Sequence, residues 1–245
     1  MRIEKPIAGR WLAAVLLPLL SACGPSTDGV GGEGKVGDLL PLGAYQDGLI
    51  TFYDATGAGN CSYDPSPDDL DVAAMNIGQY QDSAVCGSCV EIEGPKANLR
   101  VRIVDSCPDC PDKGHLDLSR SAFAKIANPV DGRVKVRWRP VACDVSGPVR
   151  YHVKDGSSQW WTALQVRNHR LPVTRLEYLK NGSWVNVKRE SYNYFVEPKG
   201  MGEGPLKIRV TAQDGQVLED TLPGADSNKL FTGGGQFRAP STDGN

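Results

Sequence analysis

The chain lacks an apolar run long enough to cross a bilayer as a helix. Its segment 11–20 reaches only about half of the roughly 20 residues required. It lacks a surplus of charge: 27 Lys and Arg stand against 29 Asp and Glu, a net of −2, which excludes a nucleic-acid binder driven by bulk charge. Histidine is scarce, at three residues, and His115 and His169 have no partners at metal-ligand spacing, so neither a metal site nor a cofactor is expected. No cysteine follows Cys143, so the second half of the chain must stand on its apolar core. There is no internal repeat.

What is present begins with a targeting segment. Arg2, Lys5 and Arg10 precede the short apolar run, a pattern that reads as a removable export signal. It ends in Leu20-Ser21-Ala22-Cys23-Gly24, which resembles a bacterial lipoprotein cleavage box and implies that Cys23 becomes the lipidated first residue of an exported lipoprotein, held at an outer membrane or cell surface, or otherwise secreted. Residues 24–44 are rich in Gly, Pro and acid and read as a flexible linker. About 200 residues then remain, enough for two domains. Charge divides them: residues 45–147 carry 15 acidic against 10 basic side chains, net −5, and residues 148–245 carry 10 against 13, net +3.

Apart from Cys23, the six cysteines are Cys61, Cys86, Cys89, Cys107, Cys110 and Cys143. Cys86-Gly-Ser-Cys89 and Cys107-Pro-Asp-Cys110 stand 17 residues apart, a spacing that fits a zinc ribbon. Two facts favour disulfides instead. An exported chain meets oxidising conditions, and Cys61 and Cys143 have no place in a four-ligand site. Sequence alone does not choose the connectivity.

Residues 48–53, 89–93, 99–104 and 134–138 alternate with a period near two and read as strands. Residues 119–127 instead carry a helical stripe of Ala122, Phe123, Ile126 and Ala127, with Ser119 as N-cap and Asn128-Pro129 as terminator. The half spanning 45–146 therefore reads as a strand-rich barrel with one short helix. Residues 147–233 hold short strands separated by turns such as Asn181-Gly182 and Asp214-Gly215, the pattern of an immunoglobulin-like β-sandwich. The tail, 234–245, is expected to be loose.

Two stretches carry the chemistry. Asp105 lies in Val104-Asp105-Ser106-Cys107, and Asp117 in Leu116-Asp117-Leu118-Ser119, where an apolar frame favours a raised pKa and a proton available to a glycosidic oxygen. Gly156-Ser157-Ser158-Gln159-Trp160-Trp161 places two tryptophans in a polar setting suited to stacking on sugar rings. Neighbours on a flat strand point to opposite faces, so the pair shares one surface only on a bulge or loop. Trp138 and Trp184 read as core.

With Lys125-Ile126 and Gln165-Val166-Arg167-Asn168-His169, these stretches resemble the bacterial expansins across residues 45–231. The resemblance implies a six-stranded double-psi β-barrel related to family-45 glycoside hydrolases, followed by a cellulose-binding β-sandwich. It also implies a monomer that binds cellulose and related β-glucans and loosens plant cell walls without hydrolysis. Asp117 matches the essential acidic residue, Thr51 and Asp105 its groove neighbours, Trp160, Trp161 and Tyr192 the binding-face aromatics, and Lys154 a basic contact beside them. The implied disulfides are Cys61–Cys86, Cys89–Cys143 and Cys107–Cys110. One departure stands out: Cys107 occupies the place of a groove tyrosine, so stacking there is lost or supplied elsewhere. Two other readings stay open. Asp54 could serve as the base of an inverting endoglucanase with Asp117, which would need the two carboxylates about 6.5–9.5 Å apart. Alternatively, the chain could act on peptidoglycan, like the rare lipoprotein A family.

Overall fold

The alternating segments of the first half close into a barrel. Its strands are β1 (Gln46–Tyr53), β2 (Val72–Asn76), β3 (Cys89–Glu93), β4 (Asn98–Cys107), β5 (His115–Ser119) and β6 (Val134–Val141). Around the barrel they run β1-β5-β2-β4-β3-β6. Two neighbouring pairs, β1 with β5 and β2 with β4, are parallel, and the remaining pairs are antiparallel. This is the double-psi barrel that the resemblance implied. The computed structural model describes residue 1 and residues 39–240; the export signal, Cys23 and most of the expected linker lie outside the described residues.

Inward positions of the strands fill the barrel with Ile50, Ile92, Ile103, Leu116, Leu118 and Trp138, all essentially inaccessible. Trp138 spends its one polar group on Gly114, donating from Nε1 to the carbonyl at 2.8 Å. A one-turn helix, α1 (Ile77–Tyr80), follows β2, and helix α2 (Arg120–Ile126) starts where expected. The Ser119 hydroxyl accepts from the Ala122 N–H at 3.0 Å, and Ala122, Phe123 and Ile126 face the core. Phe123 meets Phe52 with ring centroids 4.8 Å apart, fixing the helix against β1.

The second half has two sheets sharing one core. One contains β14 (Leu230–Thr232), β7 (Arg150–Val153), β8 (Thr162–Arg167) and β11 (Phe195–Glu197); the other contains β13 (Val217–Leu222), β12 (Leu206–Ala212), β9 (Val173–Lys180) and β10 (Ser183–Arg189). The end of β10 pairs with β11, so this strand turns the corner between sheets. Tyr151, Leu164 and Val166 from one sheet meet Leu176, Ile208 and Val210 from the other. Trp184, expected in this core, is only half-buried. Val185 and Val187 take the inward positions of β10, so alternation turns Trp184 outward between Arg209 and Lys207.

Barrel and sandwich form one compact unit. The carbonyl of Cys61 accepts from Gln165 Nε2 at 2.8 Å and Asn193 Nδ2 at 3.1 Å, while Tyr80 and Ser83 donate to the carbonyls of Ser191 and Glu190. Such buried bonds resist separation because each broken one leaves a polar group unpaired. Residues at both ends of the unit also dock, against the expectation of a flexible linker and a loose tail. Leu39 and Leu40 pack on the barrel core and Leu42 on the sandwich core. Phe237 is fully buried, with Gln236 bonded to the backbone of Gly147, Asn168 and Arg170. Gly/Ser/Thr-rich composition hides what one buried phenylalanine adds.

The disulfides are Cys61–Cys86, Cys89–Cys143 and Cys107–Cys110, the three pairs that the resemblance implied, so no free thiols remain among them for zinc. Cys89–Cys143 closes a separation of 54 residues. Replacing both by alanine is expected to lower stability by about 4 kcal/mol on chain-entropy grounds. Urea unfolding of the double variant checks this.

Candidate functional site

Strand register builds the barrel site. Thr51 on β1 pairs with Asp117 on β5, Asp117 pairs across to Ala74 on β2, and Ala74 pairs in turn with Asp105 on β4. One row thus crosses four strands, with a single small side chain between two carboxylates. Adjacent strands lie about 4.8 Å apart, so the backbones of Asp105 and Asp117 stand about 10 Å from each other.

Thr51 donates its hydroxyl hydrogen to Asp117 Oδ1 at 2.5 Å. Its oxygen also lies 3.0 Å from His115 Nε2, which must therefore be the protonated ring nitrogen, leaving the buried Nδ1 without a partner among the described residues. Burial, and after it Arg133, hold the His115 imidazole below its ordinary pKa. Burial also raises the Asp117 carboxyl above its ordinary value. The Thr51 hydrogen bond and His115 oppose that shift, and Asp105 adds to it. Asp117 is thus a half-buried acid with a strengthened hold on its proton. Asp105 is fixed differently: Oδ1 accepts from the amides of Asn60 at 2.7 Å and Ser106 at 2.8 Å. Gly59 permits this closure, since a Cβ there would lie 2.4 Å from the Asp105 carboxyl carbon.

The shift at Asp117 has a sign that can be checked. A carboxyl whose folded pKa exceeds its unfolded value contributes stability that is fully present below the unfolded pKa, about 3.9, and lost as pH rises through the folded one. Asparagine does not ionise. Asp117→Asn should therefore melt higher than wild type near neutral pH, with the gap closing under acid conditions, as followed by calorimetry across pH.

Asp54 does not join this row. On β1, Thr51 and Tyr53 face the groove and Phe52 faces helix α2, and Asp54, the residue just past the strand, lies on the Phe52 side. There the Asp54 carboxylate meets Arg120 Nε at 3.1 Å, and the guanidinium lies over the Phe52 ring at 4.7 Å.

On the sandwich, Ser158 and Trp161 bracket a two-residue turn, with their backbones bonded both ways and the Trp160 N–H donating to Ser158 Oγ. The turn is the departure from a flat strand that the pair required. Trp160 is 73% exposed, and Trp161 and Tyr192 are each half-buried. Tyr192 lies 5.9 Å from the Tyr194 ring, over which Lys154 Nζ sits at 6.0 Å. Lys154 thus lies over the ring that neighbours Tyr192.

His115 and Tyr53 were not singled out in the sequence as members of the groove. Both were within reach of a simple rule, being two residues from Asp117 and Thr51 on their strands and hence on the same faces.

Comparison with known proteins places this geometry in context. The family model described as lytic transglycolase (DPBB_1) matches residues 72–138. Expansin-YoaJ of Bacillus subtilis is 38% identical over 208 residues, covering 80% of this chain and 89% of that protein. Expansin-like protein 5 of Dictyostelium discoideum is 33% identical, covering 76% and 83%. The crystal structure of an expansin from Clavibacter michiganensis superposes with a TM-score of 0.74 at 30% identity, spanning 81% of this chain and all of that one. A mutant of the Clavibacter protein has been solved in complex with cellohexaose, and it superposes equally well.

Proposed function

The chain belongs to the expansin family, and from that membership we propose that it grips β-1,4-glucan and loosens cellulose-based walls without cutting them. The sandwich docks on cellulose through Trp160, Trp161 and Tyr192, with Lys154 as a minor ionic aid. The barrel holds a single glucan chain across Thr51, Asp105 and Asp117. In its protonated form, which burial favours, Asp117 can donate to a glycosidic or hydroxyl oxygen, while Asp105, pinned by two amides, accepts from sugar hydroxyls. Export with lipidation at Cys23 would present both surfaces outside the cytoplasm.

One observation carries the reading. The groove presents an acid, Asp117, while the carboxylate that would serve as hydrolytic base, Asp54, faces away and is paired with Arg120. Inversion needs a base that activates water on the far side of the sugar. Asp105 suits that part poorly, since two backbone N–H groups already hold one of its oxygens.

Incubation of the protein with cellohexaose, followed by chromatography, tests the proposal. The oligosaccharide is expected back intact after many molar equivalents and long times. Steady appearance of shorter sugars would contradict it. The match of the barrel to a lytic transglycolase model favours one second reading, a peptidoglycan strand in the same groove. Purified sacculi in a parallel pull-down distinguish it, because the sandwich should prefer cellulose.

A further inference from the structure

Among the described residues the groove row contains no aromatic side chain of its own, yet one lies directly on it. Tyr53 shares the groove face of β1 with Thr51 and packs against Ala74, Cys107 and Cys110. Ala74 is the residue whose two strand partners are Asp105 and Asp117, so the ring rests on the floor between the carboxylates. Electrostatics agree: after burial, Asp105 and then Asp117 push the Tyr53 phenol above its ordinary pKa. Its hydroxyl is shielded from solvent and has no hydrogen-bond partner among the described residues, although the residue as a whole is only half-buried. The polar end therefore contributes nothing that fixes the ring, and the open ring surface is the usable part. The disulfide it packs against ties the last residue of β4, Cys107, to Cys110 three residues on.

We propose that Tyr53 is the stacking platform of the barrel groove: its ring, carried on the Cys107–Cys110 disulfide, takes the apolar face of one glucose unit, while Asp105 and Asp117 take hydroxyls on either side. This rests on the glucan-binding reading of the groove given above. It also gives the Cys107-Pro-Asp-Cys110 loop a purpose, as the support that keeps an aromatic face upward in a polar cleft. Aromatic stacking orients a sugar ring without forming a covalent bond, which is what a chain-gripping groove requires.

The test uses full-length protein carrying Trp160→Ala and Trp161→Ala, so that the barrel supplies the binding, with cellohexaose titrated calorimetrically. Adding Tyr53→Ala should weaken binding about tenfold, and Tyr53→Phe, which keeps the ring, should recover most of that loss. If Tyr53→Ala binds like its parent while Asp117→Ala does not, the platform is wrong and the groove reading stands. If the parent shows no barrel binding at all, the groove reading fails and the platform fails with it. Should Tyr53→Ala not fold, the Tyr53 ring resonances of the parent decide by NMR. They are expected to shift on adding cellohexaose, and an unmoved ring would overturn the proposal.

Discussion

Replacing Trp160 and Trp161 by alanine will take the protein off cellulose. Trp160 is 73% exposed at the tip of a two-residue turn, and Trp161 is half-buried beside it. Covering two indole faces with sugar is worth about 3 kcal/mol together, by apolar burial and ring stacking. That is about a hundredfold in affinity. Depletion isotherms on microcrystalline cellulose should show the loss, whereas Lys154→Ala should change retention only a few-fold, because a single solvent-screened surface cation contributes little. The double variant should still fold, since the sandwich core is built from Tyr151, Leu164, Leu176, Tyr178 and Val210. An unchanged isotherm would mean that the fibre is held by some other surface.

Removing Asp117 is expected to have an equally large effect of a different kind. Asp117→Ala deletes the carboxyl that Thr51 orients and leaves the threonine hydroxyl hydrogen without its acceptor. A hydrogen bond to a charged or strongly polar group in a half-buried site is worth about 1.5–3 kcal/mol, so creep of a loaded wall strip should fall at least about tenfold. Retention on cellulose should hardly move, because the sandwich does the docking. The two variants therefore separate docking from gripping: one fails to bind, and the other binds without loosening.

Much of this was legible in the chain. Local signals were reliable where one side chain decides the outcome. Ser119 caps α2 because its hydroxyl meets the free N–H of Ala122, and period-two alternation marks the barrel strands because their inner face is buried. The side-by-side tryptophans demanded a break in the strand, and a turn at residues 159 and 160 supplies it. What stayed hidden depends on which strands become neighbours. Asp105 and Asp117 are twelve residues apart in sequence and are brought to either side of Ala74 only by barrel closure. Alternation assigns Tyr53 to the groove face, but only the same closure brings it onto Ala74 and Asp54 to Arg120. Trp184 was misplaced because β10 has valines on its inner face, leaving the larger residue outside. Phe237 docks because one buried ring outweighs the flexibility of the residues before it.

The central claim is that this groove grips a glucan and does not cleave it. The most direct measurement clamps a heat-inactivated plant wall strip under constant load and records extension and released reducing ends from the same sample. The account predicts extension with no reducing ends above the buffer control, and loss of extension with Asp117→Ala. Extension that rises in proportion to released sugar would contradict it.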